Sequence, residues 1–100
     1  MNKEVMIVTG AGQISMAIAR RIGFGKKIIL GDKKIENANT IAKIMNEAGY
    51  DVVPFEMDLS NRESILAIIA EARKYGEIKY LVNGAGVSPS QAPVLYILSY

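Results

Sequence analysis

Residues 5–21 constrain the fold of this chain more tightly than any other stretch. Four consecutive apolar residues, Val5-Met6-Ile7-Val8, run into Thr9-Gly10-Ala11-Gly12-Gln13-Ile14-Ser15 and on through Met16-Ala17-Ile18-Ala19-Arg20-Arg21. The apolar run suits a buried strand, and the apolar residues at 14, 17, 18 and 22 recur at helical spacing. The stretch therefore reads as strand, glycine turn and amphipathic helix. Such a turn aims a helix start at the space above the strand. The first N–H groups of a helix have no partner within it and its dipole is positive at that end, so an anion, typically a phosphate, is the expected occupant.

The spacing Gly10-x-Gly12-x-x-Ser15 differs at one place from the G-x-G-x-x-G/A fingerprint of dinucleotide-binding turns. There the first glycine makes the tight turn, the second lets the backbone approach a pyrophosphate, and the third lets helix and strand pack closely. Ser15 stands at the third place. Serine is small, so a modest packing penalty is expected, and its hydroxyl needs a partner if buried. Glycine pairs also follow apolar runs in plain strand-to-helix turns, so the turn alone does not define a ligand.

Gly23 and Gly25 end the first helical pattern, and Lys26-Lys27 leads into Ile28-Ile29-Leu30-Gly31-Asp32. Strand, helix and strand within about 30 residues make a βαβ unit, with parallel strands and a right-handed crossover. Asp32 stands 20 positions beyond Gly12. Dinucleotide folds keep an acidic residue there to hydrogen-bond the ribose hydroxyls of NAD. A carboxylate also repels a 2′-phosphate, by several kcal/mol at an effective dielectric of ~20 and a separation of ~5 Å. Lys33 and Lys34 offset part of this, so NAD is expected over NADP. Read without the glycines, Asp32 would be an ordinary turn or helix-start carboxylate.

Residues 35–48 place Ile35, Ala38, Ile41, Ala42, Met45 and Ala48 at helical spacing as a core-facing stripe, with Gly49 as the left-handed residue closing the helix. Residues 51–58 read as a third strand, and Pro54, lacking a ladder donor, puts it at the sheet edge. Asp58 closes that strand on the same side as Asp32, as a cofactor contact or as a plain loop carboxylate. Ser60-Asn61-Arg62-Glu63 reads as a capping box for a third helix with Ile65, Leu66, Ile68, Ile69 and Ala72 on its buried face and Gly76 at its end. Residues 78–82 then give a fourth strand, broken at Asn83-Gly84-Ala85-Gly86. This alternation predicts an α/β fold: a three-layer, Rossmann-like half, with a parallel sheet of order 3-2-1-4 and helices on both faces.

One hundred residues make one small domain, able to bury about 65% of the unfolded chain's surface. Half the residues are hydrophobic and 22% are charged, as in ordinary globular domains. The net charge of +2 and the lack of a basic stripe interleaved with aromatics leave out the nucleic-acid signature. There are no cysteines and no histidines, hence no disulfide framework, no expected metal site and no thiol or imidazole catalyst. No apolar run has the length of a secretory core or a membrane span, so a cytoplasmic protein without membrane partners is expected.

With Asn83-Gly84-Ala85-Gly86 in view, residues 5–88 resemble the N-terminal part of the short-chain dehydrogenase/reductase family. Thr9-Gly10-Ala11-Gly12-Gln13-Ile14-Ser15 is similar to the family's cofactor turn, one residue shorter than its commonest Thr-Gly-x-x-x-Gly-x-Gly form and with serine at the final glycine. Asp32 falls where NAD-preferring members keep their acid, and Asp58, in Met57-Asp58-Leu59, matches the adenine-side aspartate. The Asn83 segment resembles the Asn-Asn-Ala-Gly signature with glycine at the second place. The resemblance implies that Thr9, Gly10, Gly12, Gln13, Ile14, Asp32, Lys33, Asp58, Leu59, Asn83, Ala85 and Gly86 belong to an NAD site, Asn83 tying the central strands and Ala85 and Gly86 lining the cleft.

The family's serine, tyrosine and lysine, with Tyr-x-x-x-Lys on one helix face so that the ammonium lowers the phenol's pKa, lie beyond the region matched here. Tyr75-Gly76-Glu77-Ile78-Lys79 fits the string, but Gly76 interrupts the helix between them, and Ser88 and Ser90 read as loop residues beside Pro89. No catalytic residue is assigned, and the 100-residue chain is expected to be an incomplete, truncated dinucleotide-binding domain over 1–90 without turnover of its own. Residues 91–100 form an apolar tail, expected either to fold back antiparallel on the fourth strand or to lie as a short helix over the uncovered side. An uncovered fourth strand is a pairing edge, so self-association is expected. Other readings are a non-catalytic nucleotide-binding or interaction module, and an adenosylmethionine-dependent methyltransferase fragment, which also pairs a glycine loop with strand-end carboxylates but carries an acid where Val8-Thr9 stands.

Overall fold

A computed structural model describes residues 3–10, 12–84 and 96–99. The order is β1 (Lys3–Thr9), α1 (Gln13–Ile22), β2 (Lys27–Asp32), α2 (Ile35–Glu47), β3 (Asp51–Glu56), α3 (Arg62–Arg73), β4 (Gly76–Asn83) and β5 (Tyr96–Ser99). One sheet holds all five strands in the order β3-β2-β1-β4-β5. The first four are parallel, as the alternation predicts, and β5 runs antiparallel to β4 from Tyr80↔Ser99 to Asn83↔Tyr96. The tail residues 96–99 thus take the first of the two expected courses. They also cover the β4 edge along 80–83, so the outer strands of the sheet are β3 and β5.

The central strand shows why its sequence is continuously apolar. Met6 and Val8 join Ile28, Leu30 and Val82 beneath α1 and α2, which contribute Met16, Ala19, Ala38, Ala42 and Met45. Val5 and Ile7 point the other way, into a second core with Ile29, Met57, Ile68 and Ala72 under α3. Both faces of β1 are buried, as the middle of a three-layer parallel sheet requires. A register shift against β4 between Val5 and Met6 brings the upper ends level, Thr9 opposite Asn83.

Several positions differ from the periodicity. Ala17 is exposed on α1, where Ser15, Met16 and Ala19 turn inward instead. Leu66 is 55% exposed, because at 100° per residue it lies about 200° around α3 from the buried Ile68. Ala48 also lies exposed, just past the last turn of α2. The third strand stops at Glu56, the fourth begins at Gly76, and α3 ends at Arg73 ahead of Gly76. Gly49 does take the left-handed conformation expected of it, at φ +100°. Beside α3 the β4 face is not fully covered by the described residues, leaving an apolar cleft of about 480 Å³ lined by Ile65, Ile69, Ile78 and Leu81.

Candidate functional site

The carboxyl ends of the parallel strands meet at one rim. Gly10 sits at φ +86°, a left-handed conformation that favours glycine, and its N–H donates to the Gly31 carbonyl at 2.7 Å. That bond pins the first residue of the turn to β2, one residue before Asp32. The Met57 N–H donates to the Asp32 carbonyl at 2.9 Å and the Gly84 N–H to the Thr9 carbonyl at 2.9 Å. Glycine turn, Asp32, the Asp58 loop and the Asn83 segment therefore lie on the same edge of the sheet. Asn83 ties the central strands through its side chain: the buried Thr9 hydroxyl donates to Asn83 Oδ1 at 2.8 Å.

Helix α1 starts at Gln13 with Gly12 as its cap residue, so no side chain caps it, and its first turn holds no acidic residue. No acidic side chain of that turn offsets the positive end of the dipole. By contrast α3 is capped by the Asn61 side chain, which accepts from the N–H groups of Glu63 and Ser64. Gly12 has φ −87° and ψ 171°, a backbone open to any residue, and a Cβ built on it meets no atom within 4 Å. Among the described residues no packing contact calls for glycine at 12. What its missing side chain leaves is open space beside the helix start.

Asp32 is half-buried, and its Oδ1 accepts from the Lys34 N–H at 2.9 Å, which orients the carboxylate as the chain leaves β2. Asp58 is held at both ends of the residue: its N–H donates to Ser64 Oγ, while its Oδ1 accepts from the Ser60 hydroxyl and N–H. Those bonds from Ser60, with the nearby Lys33 charge, keep its carboxyl below the usual range against a smaller opposing effect of burial. Gln13, Lys33 and Leu59 are exposed. The Ile14 side chain and residues Ala85 and Gly86, like Ser88 and Ser90, lie outside the described residues.

Tyr75 and Lys79 are kept apart in role. From the turn after α3 the Tyr75 hydroxyl donates back to Glu71 on that helix, whereas Lys79 pairs with Glu77 on β4. Two features of the rim escape a reading by motif. Ser64 anchors the Asp58 backbone from inside α3, and Gly84 packs against Ser15. The second has a sequence signal, a residue larger than glycine at 15 and one smaller than asparagine at 84, but only the fold shows that the two positions touch.

The short chain dehydrogenase family profile matches residues 4–96. The chain is 32% identical over 89 residues to short-chain dehydrogenase/reductase bsc3 of Alternaria brassicicola, covering 89% of this chain and 32% of that protein. It is 30% identical over 95 residues to cis-4-hydroxycyclohexanecarboxylate dehydrogenase of Sinomonas cyclohexanicum, covering 92% and 38%. The crystal structure of an actinorhodin polyketide ketoreductase variant with NADPH overlays with a TM-score of 0.77 at 34% identity, over 84% of this chain and 33% of the other. A short-chain dehydrogenase/reductase from Burkholderia phymatum in complex with NAD gives 0.72 at 25% identity, over 80% and 30%. The chain thus spans about a third of the length of these curated relatives. A match over nearly all of its residues, on a sheet of the same order, makes this chain a member of the short-chain dehydrogenase/reductase family.

Proposed function

We propose that this chain is the dinucleotide-binding portion of an oxidoreductase that prefers NAD to NADP, and that the 100 residues alone turn over no alcohol. The observation that carries the reading is Gly12, a glycine that neither backbone conformation nor packing against the described residues explains, standing at a helix start that no side chain caps. A pyrophosphate approaching that helix start explains it, because a Cβ at 12 would stand in its path. Asp32, on the same rim, is suited to accept the ribose hydroxyls, and its charge disfavours a 2′-phosphate. Relatives solved with NAD and with NADPH support the dinucleotide class. When bound, the nicotinamide gives or takes the hydride, while the residues described here bind and orient the adenosine diphosphate half.

Titration calorimetry with NAD on the native chain and on Gly12→Ala tests this. The variant is expected to lose at least ~10-fold in affinity while its stability stays within ~1 kcal/mol of the native chain, since alanine restricts the unfolded chain but is the poorer helix cap. Equal NAD affinity in the two proteins overturns the reading. Hydride transfer from a secondary alcohol by the 100-residue chain overturns its second half, since a lost proton donor costs ~10²- to 10⁴-fold.

A further inference from the structure

We propose that Ser15 is a positioning residue for the glycine turn, and that Gly84 is glycine because Ser15 takes the space a side chain there would need. This rests on the reading that the turn meets a diphosphate. Ser15 is 2% exposed, and its hydroxyl donates to the Gly10 carbonyl and, at 3.1 Å, to the Gly12 carbonyl, one hydrogen shared between two acceptors. The Gly12 carbonyl also accepts from the Met16 N–H at 3.0 Å. It is thus held inward from two sides. In a trans peptide the C=O and the following N–H point in opposite directions, so fixing the Gly12 carbonyl turns the Gln13 N–H away from the buried hydroxyl. Ser15 sets that donor before any ligand arrives. A glycine at 15 would leave the Gly10 carbonyl to the turn's own stiffness and the Gly12 carbonyl to the Met16 N–H alone.

The hydroxyl's space comes from β4. A Cβ on Gly84 would stand 2.7 Å from Ser15 Cβ, 3.1 Å from Ser15 Oγ and 3.4 Å from the Thr9 carbonyl oxygen. Ser15 Cβ is fixed to the helix backbone and does not swing aside as the end of a long side chain does. Gly84 is not among the glycines with positive φ, so conformation does not ask for glycine there; contact does. Positions 15 and 84 therefore share one volume, which Ser15 fills. The Gly84 N–H to Thr9 bond and the Thr9–Asn83 bond hold the end of β4 against this pair. The glycine turn and the Asn83 segment are coupled through it.

Two measurements on the full chain test the proposal. In calorimetric titrations with NAD, ADP-ribose and adenosine, Ser15→Ala is expected to weaken the two diphosphate-bearing ligands about 5-fold, the effect of one lost hydrogen bond, and to leave adenosine unchanged. Equal weakening of all three ligands, or of none, overturns the positioning role. If the native chain binds neither NAD nor ADP-ribose, the dinucleotide reading fails, and the positioning role with it. The second measurement needs no ligand. Gly84→Ala is expected to lower the thermal midpoint by about 4 to 8 °C, and Ser15→Gly combined with Gly84→Ala to regain most of that. A Gly84→Ala loss of the same size in both backgrounds overturns the shared volume.

Discussion

Gly12 and Gly84 lack side chains for opposite reasons. A Cβ at 84 would press on Ser15, whereas a Cβ at 12 would touch nothing among the described residues. Gly84 serves the packing of the protein, and Gly12, on the proposed reading, serves what comes to it. Asp32 closes β2 on the same rim, its Oδ1 accepting the Lys34 N–H. On the proposed NAD reading, Asp32→Asn is expected to narrow the ratio of NAD to NADP affinity by ~10- to 100-fold, as removal of a charge close to a 2′-phosphate implies. Binding isotherms with both cofactors measure it, and an unchanged ratio shows that Asp32 does not face the ribose. Gly10 and Asp32 are legible in the sequence because a turn and a strand end are written in neighbouring residues; the tie made by Asn83 is legible only through the family resemblance, since its partner Thr9 lies 74 positions away. The need of Ser15 for a buried partner is legible too. Its contact with Gly84 is not, because it joins segments far apart in sequence that only the β1–β4 pairing brings together.

At the scale of elements, the edge strand β3 shows how a few side chains close off pairing. The Asn46 amide reaches from α2 and completes both backbone groups of Val52, donating to its carbonyl at 3.0 Å and accepting from its N–H at 2.7 Å. Residues two apart on a strand turn the same way, so Pro54 presents to that edge a position with no N–H at all. Asn46→Ala is expected to cost about 1 to 3 kcal/mol in urea denaturation and to raise aggregation, because the freed edge becomes a template. Pro54 marks the edge in the sequence. Asn46 does not stand out, since polar residues near a helix end are ordinary.

The start of α3 gives a related lesson. Ser60 and Glu63 have the capping-box spacing, yet both the hydroxyl and the N–H of Ser60 are engaged by Asp58, and Asn61 caps the helix one residue later. Asn61→Ala should then cost about 1 kcal/mol of stability, and Ser60→Ala should act mainly on the Asp58 loop. Two adjacent residues with cap-forming side chains made the boundary ambiguous by one position. The Asp58 carboxylate decided between them.

The molecule as a whole divides its polar chemistry between two rims. Glycine turn, Asp32, Asp58 and Asn83 stand at the carboxyl ends of the strands, and the opposite rim is closed by charge. There Asp51 accepts from Lys3 at 2.9 Å and Lys27 at 3.0 Å, joining the starts of β1, β2 and β3, while Lys27 also lies 4.3 Å from the Tyr75 ring centre. Partial burial pushes the Asp51 carboxyl up, but hydrogen bonds and charge from the two lysines together outweigh this and hold it below its ordinary value. A carboxylate depressed in the folded state contributes stability that is fully present above its unfolded pKa and is lost as pH falls through the folded one. The contribution is therefore whole at neutral pH and fades below about pH 4. With the Asp51 side chain 36% exposed, solvent and salt screen the pairs, so their sum stays within about 1 kcal/mol. Asp51→Asn is accordingly expected to be less stable than the native chain at pH 7, by a difference that narrows by pH 3 as the native carboxyl begins to take up its proton. Urea midpoints at the two pH values separate the possibilities: a difference that persists undiminished in acid means that Asp51 holds the three strand starts by shape and neutral hydrogen bonding, and one that narrows means that it holds them by charge.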